Sequence, residues 1–325
     1  MDPRKLNNGI RKCTRAMGLL RLVEQHGQSF NAIHVSAAWG NMAWMSSGWG
    51  EGDEEVVLPQ LKVLTRAKMQ EMGARQVANV VSSMASLQAS GLIGFDSGLV
   101  GELQARGTAT AGAFNPQEVS MLVFALAEMG VNNPDAGLVE AMQGRAREVA
   151  GDFKPMEIMT LLQAFATMGI TPTAGLVEAM QGRARETAGD FTAQEVEYLL
   201  QAFSTLGIAP DAGLVEAMQG QALKKVGSFK PVGISNLLHA FATMGIMPDA
   251  GLVEVLQKHA RGTAAAFTSQ EAENLLQAFS TLGITPDPGL VEAMQGRVKA
   301  GAAAAAEAAM AAAKAAVVER ESRLY

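Results

Sequence analysis

Two consecutive stretches decide the fold. FKPMEIMTLLQAFATMGITPTAGLVEAMQGRARETAGD spans residues 153–190, and FTAQEVEYLLQAFSTLGIAPDAGLVEAMQGQALKKVGS spans residues 191–228. They align over their whole length, so the chain contains a repeat of 38 residues. A fixed period of about 20 to 50 residues is the signature of repeat architectures. Five regular copies begin, at steps of 39, 38, 38 and 38 residues, at Phe114, Phe153, Phe191, Phe229 and Phe267.

Other segments flank the regular copies, which together span residues 114–300. Two divergent copies precede them, and each has extra residues between its two apolar segments. In the first of these the insert is the Gly- and acid-rich run Ser46–Glu55. The divergent copies span residues 30–71 and 72–113. Before them, residues 1–29 form a basic lead-in that is predicted to be one helix or two. After the regular copies, residues 301–325 form an Ala-rich tail, which the helix propensity of alanine predicts to be helical.

Each copy reads as two helices, here called A and B. In the copy that starts at Phe153, helix A carries apolar residues at i, i+3, i+4, i+7 and i+10, which is one stripe at helical period. These residues are Ile158, Leu161, Leu162, Phe165 and Met168. A second stripe predicts helix B and comprises Leu176, Val177, Met180 and Ala184.

The ends of the helices are marked as clearly as the stripes. Thr192 and Glu195 form the pattern of a capping box, and Phe191 before them fits a hydrophobic staple. Thr268 and Glu271 repeat the box. Glycines predict the end of helix A at Gly130, Gly169, Gly207, Gly245 and Gly283. Prolines that follow three or four residues later predict the start of helix B at Pro134, Pro172, Pro210, Pro248 and Pro286.

One helix pair cannot bury both stripes alone, so neighbouring pairs must stack. The sequence therefore predicts an all-α protein, an α-solenoid of about seven antiparallel helix-pair repeats.

Composition excludes several classes of function. A net charge of −6 excludes a strongly cationic protein that binds nucleic acid by bulk charge. The single cysteine, Cys13, excludes an internal disulfide framework, and four histidines make a metal site improbable. Lys12 and Arg15 beside Cys13 favour its thiolate, but no general base is evident. We find no nucleotide-binding or hydrolase motif and no membrane segment. We expect no enzyme activity, no catalytic residue, no cofactor and no metal.

The repeat resembles the octotricopeptide repeat. The resemblance rests on Asn115-Pro116-Gln117-Glu118-Val119, on the L-x-x-A-x-A-x-(M/L)-G run of helix A, and on the x-P before a leucine-containing helix B. The helical repeats of FAST-kinase-domain proteins and of trypanosome RNA-editing substrate-binding proteins are also similar. The lead-in looks like the start of such arrays in algal proteins, and the resemblance covers roughly residues 6–300.

This resemblance implies an organellar protein that holds single-stranded RNA for mRNA stability, processing, splicing or translation, or for rRNA assembly. Other proteins of an organellar ribonucleoprotein complex are further expected partners, and no membrane is. Chloroplast or mitochondrion is implied by the resemblance alone, because the chain shows no clear transit peptide and no C-terminal RAP-type domain. We expect a fragment or a short member that consists only of the array.

Candidate base contacts occupy the eighth and eleventh positions of the copies, which vary inside an otherwise constant helix A. These positions lie three residues apart, so they share one face beside the apolar stripe. Other helical-repeat proteins recognise one base per repeat with two or three side chains, which would give about six or seven nucleotides here. The candidates, called the polar row below, are Asn79, Gln163, Tyr198, Gln201, Asn236, His239, Asn274 and Gln277.

Candidate phosphate contacts are Lys154, Arg183, Arg185 and Lys230. Alternatives remain open at this point. The polar row could be solvated or pack on the next copy, and the three glutamines could tie adjacent helices by amide hydrogen bonds. The basic residues near the end of helix B also suit the helix dipole. The acidic balance fits a second function, a protein-binding scaffold without RNA contact.

Overall fold

The structure is a computed structural model that describes residues 2–45 and 49–322, with side chains described as far as residue 312. All regular structure in these residues is helical, with 16 α-helices, seven short 3-10 turns and no strand. The chain divides into two compact units, Met1–Glu186 and Thr187–Tyr325. Met1 of the lead-in, residues 46–48 of the predicted insert and residues 323–325 of the predicted tail lie outside the described residues.

The first unit contains five helix pairs. Its A helices are odd-numbered and its B helices even-numbered, and each A helix contacts the next, as do most B helices. Two layers result. The helices are α1 (Pro3–Lys12), α2 (Ala16–His26), α3 (Ala32–Trp44), α4 (Asp53–Lys68), α5 (Ala74–Ala89), α6 (Ser97–Ala109), α7 (Pro116–Glu128), α8 (Ala136–Glu148), α9 (Pro155–Met168) and α10 (Ala174–Glu186).

The second unit contains three helix pairs in the same two layers. α11 contacts α13 and α13 contacts α15, while α12 contacts α14 and α14 contacts α16. Its helices are α11 (Ala193–Leu206), α12 (Ala212–Lys224), α13 (Pro231–Met244), α14 (Ala250–Gly262), α15 (Ser269–Leu282) and α16 (Pro288–Ser322). The predicted fold class, an all-α α-solenoid of stacked pairs, is confirmed in each unit.

Two ends of the array differ in detail from the expected segments. The lead-in forms two helices, and these pack on α3 and α4 as a further pair. The Ala-rich tail continues helix B of the last copy as one 35-residue helix, α16. Alanine has the highest helix propensity, and Gly296 and Gly301 within α16 do not end the helix.

The predicted ends of helix A are confirmed. Thr192 and Thr268 each form a capping box with the glutamate three residues on. Gly207 ends α11 with a φ of 67°, a left-handed conformation that glycine adopts without steric cost. The N–H of the next residue, Ile208, then bonds back to the carbonyl of Phe203 at 3.0 Å, as in a Schellman motif. In the regular copies helix B begins two residues after the proline predicted to start it, because the residue after the proline is the N-cap. Asp211 after Pro210 caps α12 by accepting the N–H of Leu214 at 2.8 Å.

In the second divergent copy and the five regular copies, one residue of helix B ties the copy to the start of its own A helix. Nε of Arg145 donates to the carbonyl of Phe114 at 2.7 Å, and Nε of Arg183 donates to the carbonyl of Phe153 at 2.8 Å. The same bond recurs from Arg106 to Met72, from Gln221 to Phe191, from His259 to Phe229 and from Arg297 to Phe267.

In four copies a glutamine two residues earlier on helix B ties the copy to the next. Oε1 of Gln143, which is buried, accepts the N–H of Thr173 just before α10, at 2.7 Å. This bond satisfies a backbone donor at a helix start that has no partner inside the helix. Equivalent bonds join Gln104 to Asp135 in the first unit, and Gln219 to Asp249 and Gln257 to Asp287 in the second.

Candidate nucleic-acid interface

The polar row lies on the A helices, and each unit carries part of it. α5 holds Asn79 and α9 holds Gln163 in the first unit, and both side chains are half-buried. The second unit holds the other six residues, two on each A helix. Of these, His239 and Gln277 are exposed, and the half-buried ones are Tyr198, Gln201, Asn236 and Asn274. The whole row is therefore open to solvent while the apolar stripe beside it is buried.

The eighth-position residues of the second unit are held by neighbouring amide or carboxyl groups. Nε2 of Gln194 donates to the hydroxyl of Tyr198 at 3.2 Å, and Nε2 of Gln270 donates to Oδ1 of Asn274 at 3.0 Å. Each donor lies four residues earlier on the same helix, where side chains meet. Helix α13 has Val232 at that place and lacks such a donor. These bonds restrict Tyr198 and Asn274 and leave each a part of its hydrogen-bonding capacity.

The eleventh-position glutamines differ, because none has a hydrogen-bond partner among the residues that the structure describes. Gln163, Gln201 and Gln277 do not tie adjacent helices; the glutamines that do so lie on the B helices, as Gln143 shows. Each unpartnered amide offers a donor and an acceptor side by side, which matches the edges of nucleobases. His239 lies at the equivalent place on α13, with Nε2 3.4 Å from the hydroxyl of Thr243.

Glu197 on α11 is a functional candidate that the sequence reasoning missed. Only 5% of this residue is exposed, and its Oε1 accepts from Nδ2 of Asn236 at 2.7 Å. Burial raises the pKa of the Glu197 carboxyl, and the bond from Asn236 lowers it by less. Its Oε2 would lie 2.7 Å from a Cβ at Gly233. A signal was present in the sequence, because the other four regular copies have glutamate where α13 has Gly233.

The predicted phosphate contacts lie near the ends where the A helices begin. Lys154 and Lys230 are exposed residues that immediately precede α9 and α13. Arg183 is half-buried and also pairs with Glu186 at 3.2 Å, in addition to its bond to Phe153. Arg185, the penultimate residue of α10, is exposed. From Lys154 to Gln163 the helix rises about 13 Å, so cations and amides form two separate bands along the layer.

No group of three or more His, Cys, Asp or Glu in the described part of the chain is arranged to hold a metal ion. None of the described helices combines the length and apolar character needed to cross a membrane. Burial raises the pKa of the Cys13 thiol, whose Sγ donates to the carbonyl of Gly9 at 3.3 Å. Burial of the thiol thus disfavours the thiolate that Lys12 and Arg15 were expected to favour.

Comparison with known proteins gives one informative match. The family described as "RNA-editing substrate-binding complex 6 protein" matches residues 53–314. No curated protein matches the chain. The crystal structure of an engineered protein covers 91% of this chain and 83% of its own, with 12% identity and a TM-score of 0.24, too low for any structural argument. The match supports the resemblance to RNA-editing substrate-binding proteins, whereas those to octotricopeptide and FAST-kinase-domain proteins stay predictions.

Proposed function

The chain belongs to the RNA-editing substrate-binding complex 6 protein family, and from that premise we propose that it binds single-stranded RNA along the A helices of each unit. The bases contact the polar row. The phosphates contact Lys154 and Lys230, just before the A helices, and Arg183 and Arg185 in the last turn of α10. The protein is not an enzyme and has no cofactor: it holds RNA in place for other factors.

The observation that carries the proposal is the set of unpartnered amides at the eleventh position. A polar side chain that served only to join helices would have its partner in the fold, as Gln143 has in Thr173. Gln201 and Gln277 lack such partners in the described residues of the second unit and remain accessible. Amide groups repeated at the spacing of a helical repeat fit one base per copy.

The family description names an editing substrate and a complex, and both enter the proposal. We include substrates of RNA editing among the bound RNAs, beside the wider roles in mRNA stability, processing, splicing, translation or rRNA assembly. Other proteins of a ribonucleoprotein complex are proposed partners. The organelle, chloroplast or mitochondrion, likewise stays part of the proposal and rests on the resemblance.

A protein-binding scaffold is the second candidate, and a row of exposed acids on the B helices favours it. One glutamate recurs per regular copy at Glu140, Glu178, Glu216, Glu254 and Glu292, and all five are exposed. Such a row attracts a basic partner and repels RNA. The two functions use opposite layers of each unit, so they can be tested separately.

The test is selection from a randomised pool of single-stranded RNA, at low and at physiological salt. One variant changes Gln163, Gln201, His239 and Gln277 to Ala. Its matched control changes Glu178, Glu216, Glu254 and Glu292 to Ala, which alters as many exposed residues on the other layer. We expect the wild type and the control to enrich the same short motif and the first variant to lose it.

Two results count against the proposal. Equal binding of all RNAs by all three proteins would mean that the chain contacts phosphates only. Absence of RNA binding even at low salt would favour the scaffold function, for which the glutamate variant becomes the informative one.

A further inference from the structure

A cleft of about 480 Å³ opens on the A-helix layer of the first unit, where α1, α3, α5 and α7 come together. Its size falls within the range of about 300 to 1,000 Å³ typical of small-ligand sites. The residues of interest in its wall are Arg11, Gly40, Trp44, Asn79, Ser82 and Met121. Asn79 belongs to the polar row, so the cleft is continuous with the surface proposed to bind RNA in this unit.

Trp44 presents its indole ring to this cleft. It is 74% exposed, although Trp39 on the same helix is fully buried and donates from Nε1 to the hydroxyl of Thr65 at 2.8 Å. Trp39 therefore packs in the core, and Trp44 does not. An exposed indole beside a cleft offers a flat apolar surface on which a base can stack.

The charge of this part of the chain also suits a phosphate. Residues 1–29 contain six basic and two acidic residues, whereas the rest of the chain contains 20 basic and 30 acidic residues. Arg11 is exposed at the end of α1. The backbone around Arg11 is held by the buried side chain of Asn41, whose Nδ2 donates to the carbonyls of Ile10 and Cys13.

Some polar groups in the wall form hydrogen bonds within the fold, and others have no partner among the described residues. The hydroxyls of Ser36 and Ser83 bond to backbone carbonyls within their own helices, at 3.1 and 2.7 Å. The side chains of Asn79 and Ser82 have no hydrogen-bond partner among the described residues, and both are half-buried. They lie one helical turn apart on α5, so they can contact the edge of one planar ligand.

We propose that this cleft holds one nucleotide of the bound RNA, with its base stacked on Trp44, its base edge against Asn79 and Ser82, and its phosphate at Arg11. The inference rests on the proposed function and adds a stacking site to it. An apolar peptide side chain would leave the amide and the guanidinium unused, whereas a nucleotide uses the ring, the amide and the cation together.

Gly40 provides a second way to test the cleft. A Cβ at Gly40 would meet only Oγ of Ser83, at 3.9 Å, so a side chain fits there without a clash. Gly40 lies inside α3, where replacing glycine also favours the helix. Gly40→Leu therefore fills the cleft in a folded protein, and Gly40→Ala is its matched control.

The experiment measures binding of single-stranded RNA oligonucleotides of the selected motif, each with 2-aminopurine at one position, by the full chain. Stacking on Trp44 quenches 2-aminopurine, so we expect quenching at one position. Trp44→Ala and Gly40→Leu should abolish it and weaken binding about tenfold, within the range for one stacked base. Trp44→Phe and Gly40→Ala should largely keep both. Thermal unfolding confirms that each variant is folded.

The outcomes separate this inference from the proposed function. If the wild type binds RNA, but Trp44→Ala and Gly40→Leu bind it equally well and no position is quenched, the nucleotide site is wrong and the function stands. If the wild type binds no RNA in any salt, the function itself fails and the site with it.

Discussion

Nδ2 of Asn236 on α13 donates to the buried Oε1 of Glu197 on α11 at 2.7 Å, so a carboxyl on one A helix orients a polar-row residue on the next. The bond occupies one amide hydrogen of Asn236 and leaves its Oδ1 and second hydrogen for a ligand. In the other two copies of the second unit, a glutamine on the same helix bonds to Tyr198 or to Asn274. In the copy of Asn236 the partner comes from a neighbouring helix instead.

Glu197→Gln should stabilise the protein at neutral pH. Burial raises the pKa of Glu197 in the folded state above its value in the unfolded state. Ionisation of Glu197 therefore lowers the free energy of unfolding. This loss begins as the pH rises through the ordinary glutamate pKa and is complete above the folded-state pKa. The glutamine keeps an acceptor for Asn236 and never ionises. Melting temperatures across a pH series should diverge with rising pH and coincide below the ordinary glutamate pKa. Parallel curves for the two proteins would contradict this.

Gly233→Ala should destabilise the second unit by about 1 kcal/mol, although alanine favours helices, because its Cβ would lie 2.7 Å from Oε2 of Glu197. Gly220→Ala is the matched control, since that Cβ meets nothing within 4 Å, and it should stabilise. Urea unfolding measures both. In a double-mutant cycle with Glu197→Ala the cost at Gly233 should fall, and additive effects would exclude the contact as its cause.

Arg145→Ala should destabilise by about 2 kcal/mol, because it leaves the carbonyl of Phe114 without its charged donor. Arg145→Gln should lose less, since Gln221 makes the equivalent bond to Phe191 at 2.6 Å. Chemical unfolding gives the stabilities, and hydrogen exchange at the start of α7 locates the effect. Equal losses for alanine and glutamine would show that charge, not the hydrogen bond, matters there.

Lys154→Ala together with Lys230→Ala should weaken binding of all single-stranded RNAs alike. Each lost phosphate contact lowers the slope of log affinity against log salt by about 0.7 for single strands. Affinity measured over a salt series should therefore show a shallower slope with the selected motif unchanged. An altered motif with the original slope would assign the two lysines to bases instead.

Local patterns predicted the helices well because each signal acts within a few residues. Thr192 with Glu195 starts α11, and Gly207 ends it. At each end the hydrogen bonds to the backbone form within about one helical turn. The apolar stripe that includes Ile158 and Leu161 is buried because neighbouring helix pairs stack on each other.

Local sequence patterns could not predict the contacts between copies. The bond from Thr173 to Gln143 spans 30 residues, and the one from Asn236 to Glu197 spans 39. A near-identical repeat hides such contacts, because the glutamine of each copy looks alike whether it faces solvent or the next helix. The different exposure of Trp39 and Trp44 depends in the same way on which helices pack against α3.

The glycine at the end of helix A and the bond that returns from helix B to the first carbonyl belong to the same copy, as in Phe191–Ser228 with Gly207 and Gln221. Each copy thus ends helix A and joins helix B to it with its own residues, while the start of its helix B uses a glutamine of the preceding copy, as Thr173 uses Gln143. Because that glutamine recurs, duplication of one 38-residue segment creates no unprotected helix terminus, so the gene for such a protein can gain or lose whole copies in a single recombination event. The length of the RNA proposed as its ligand would then change in steps of one unit without redesign of the rest.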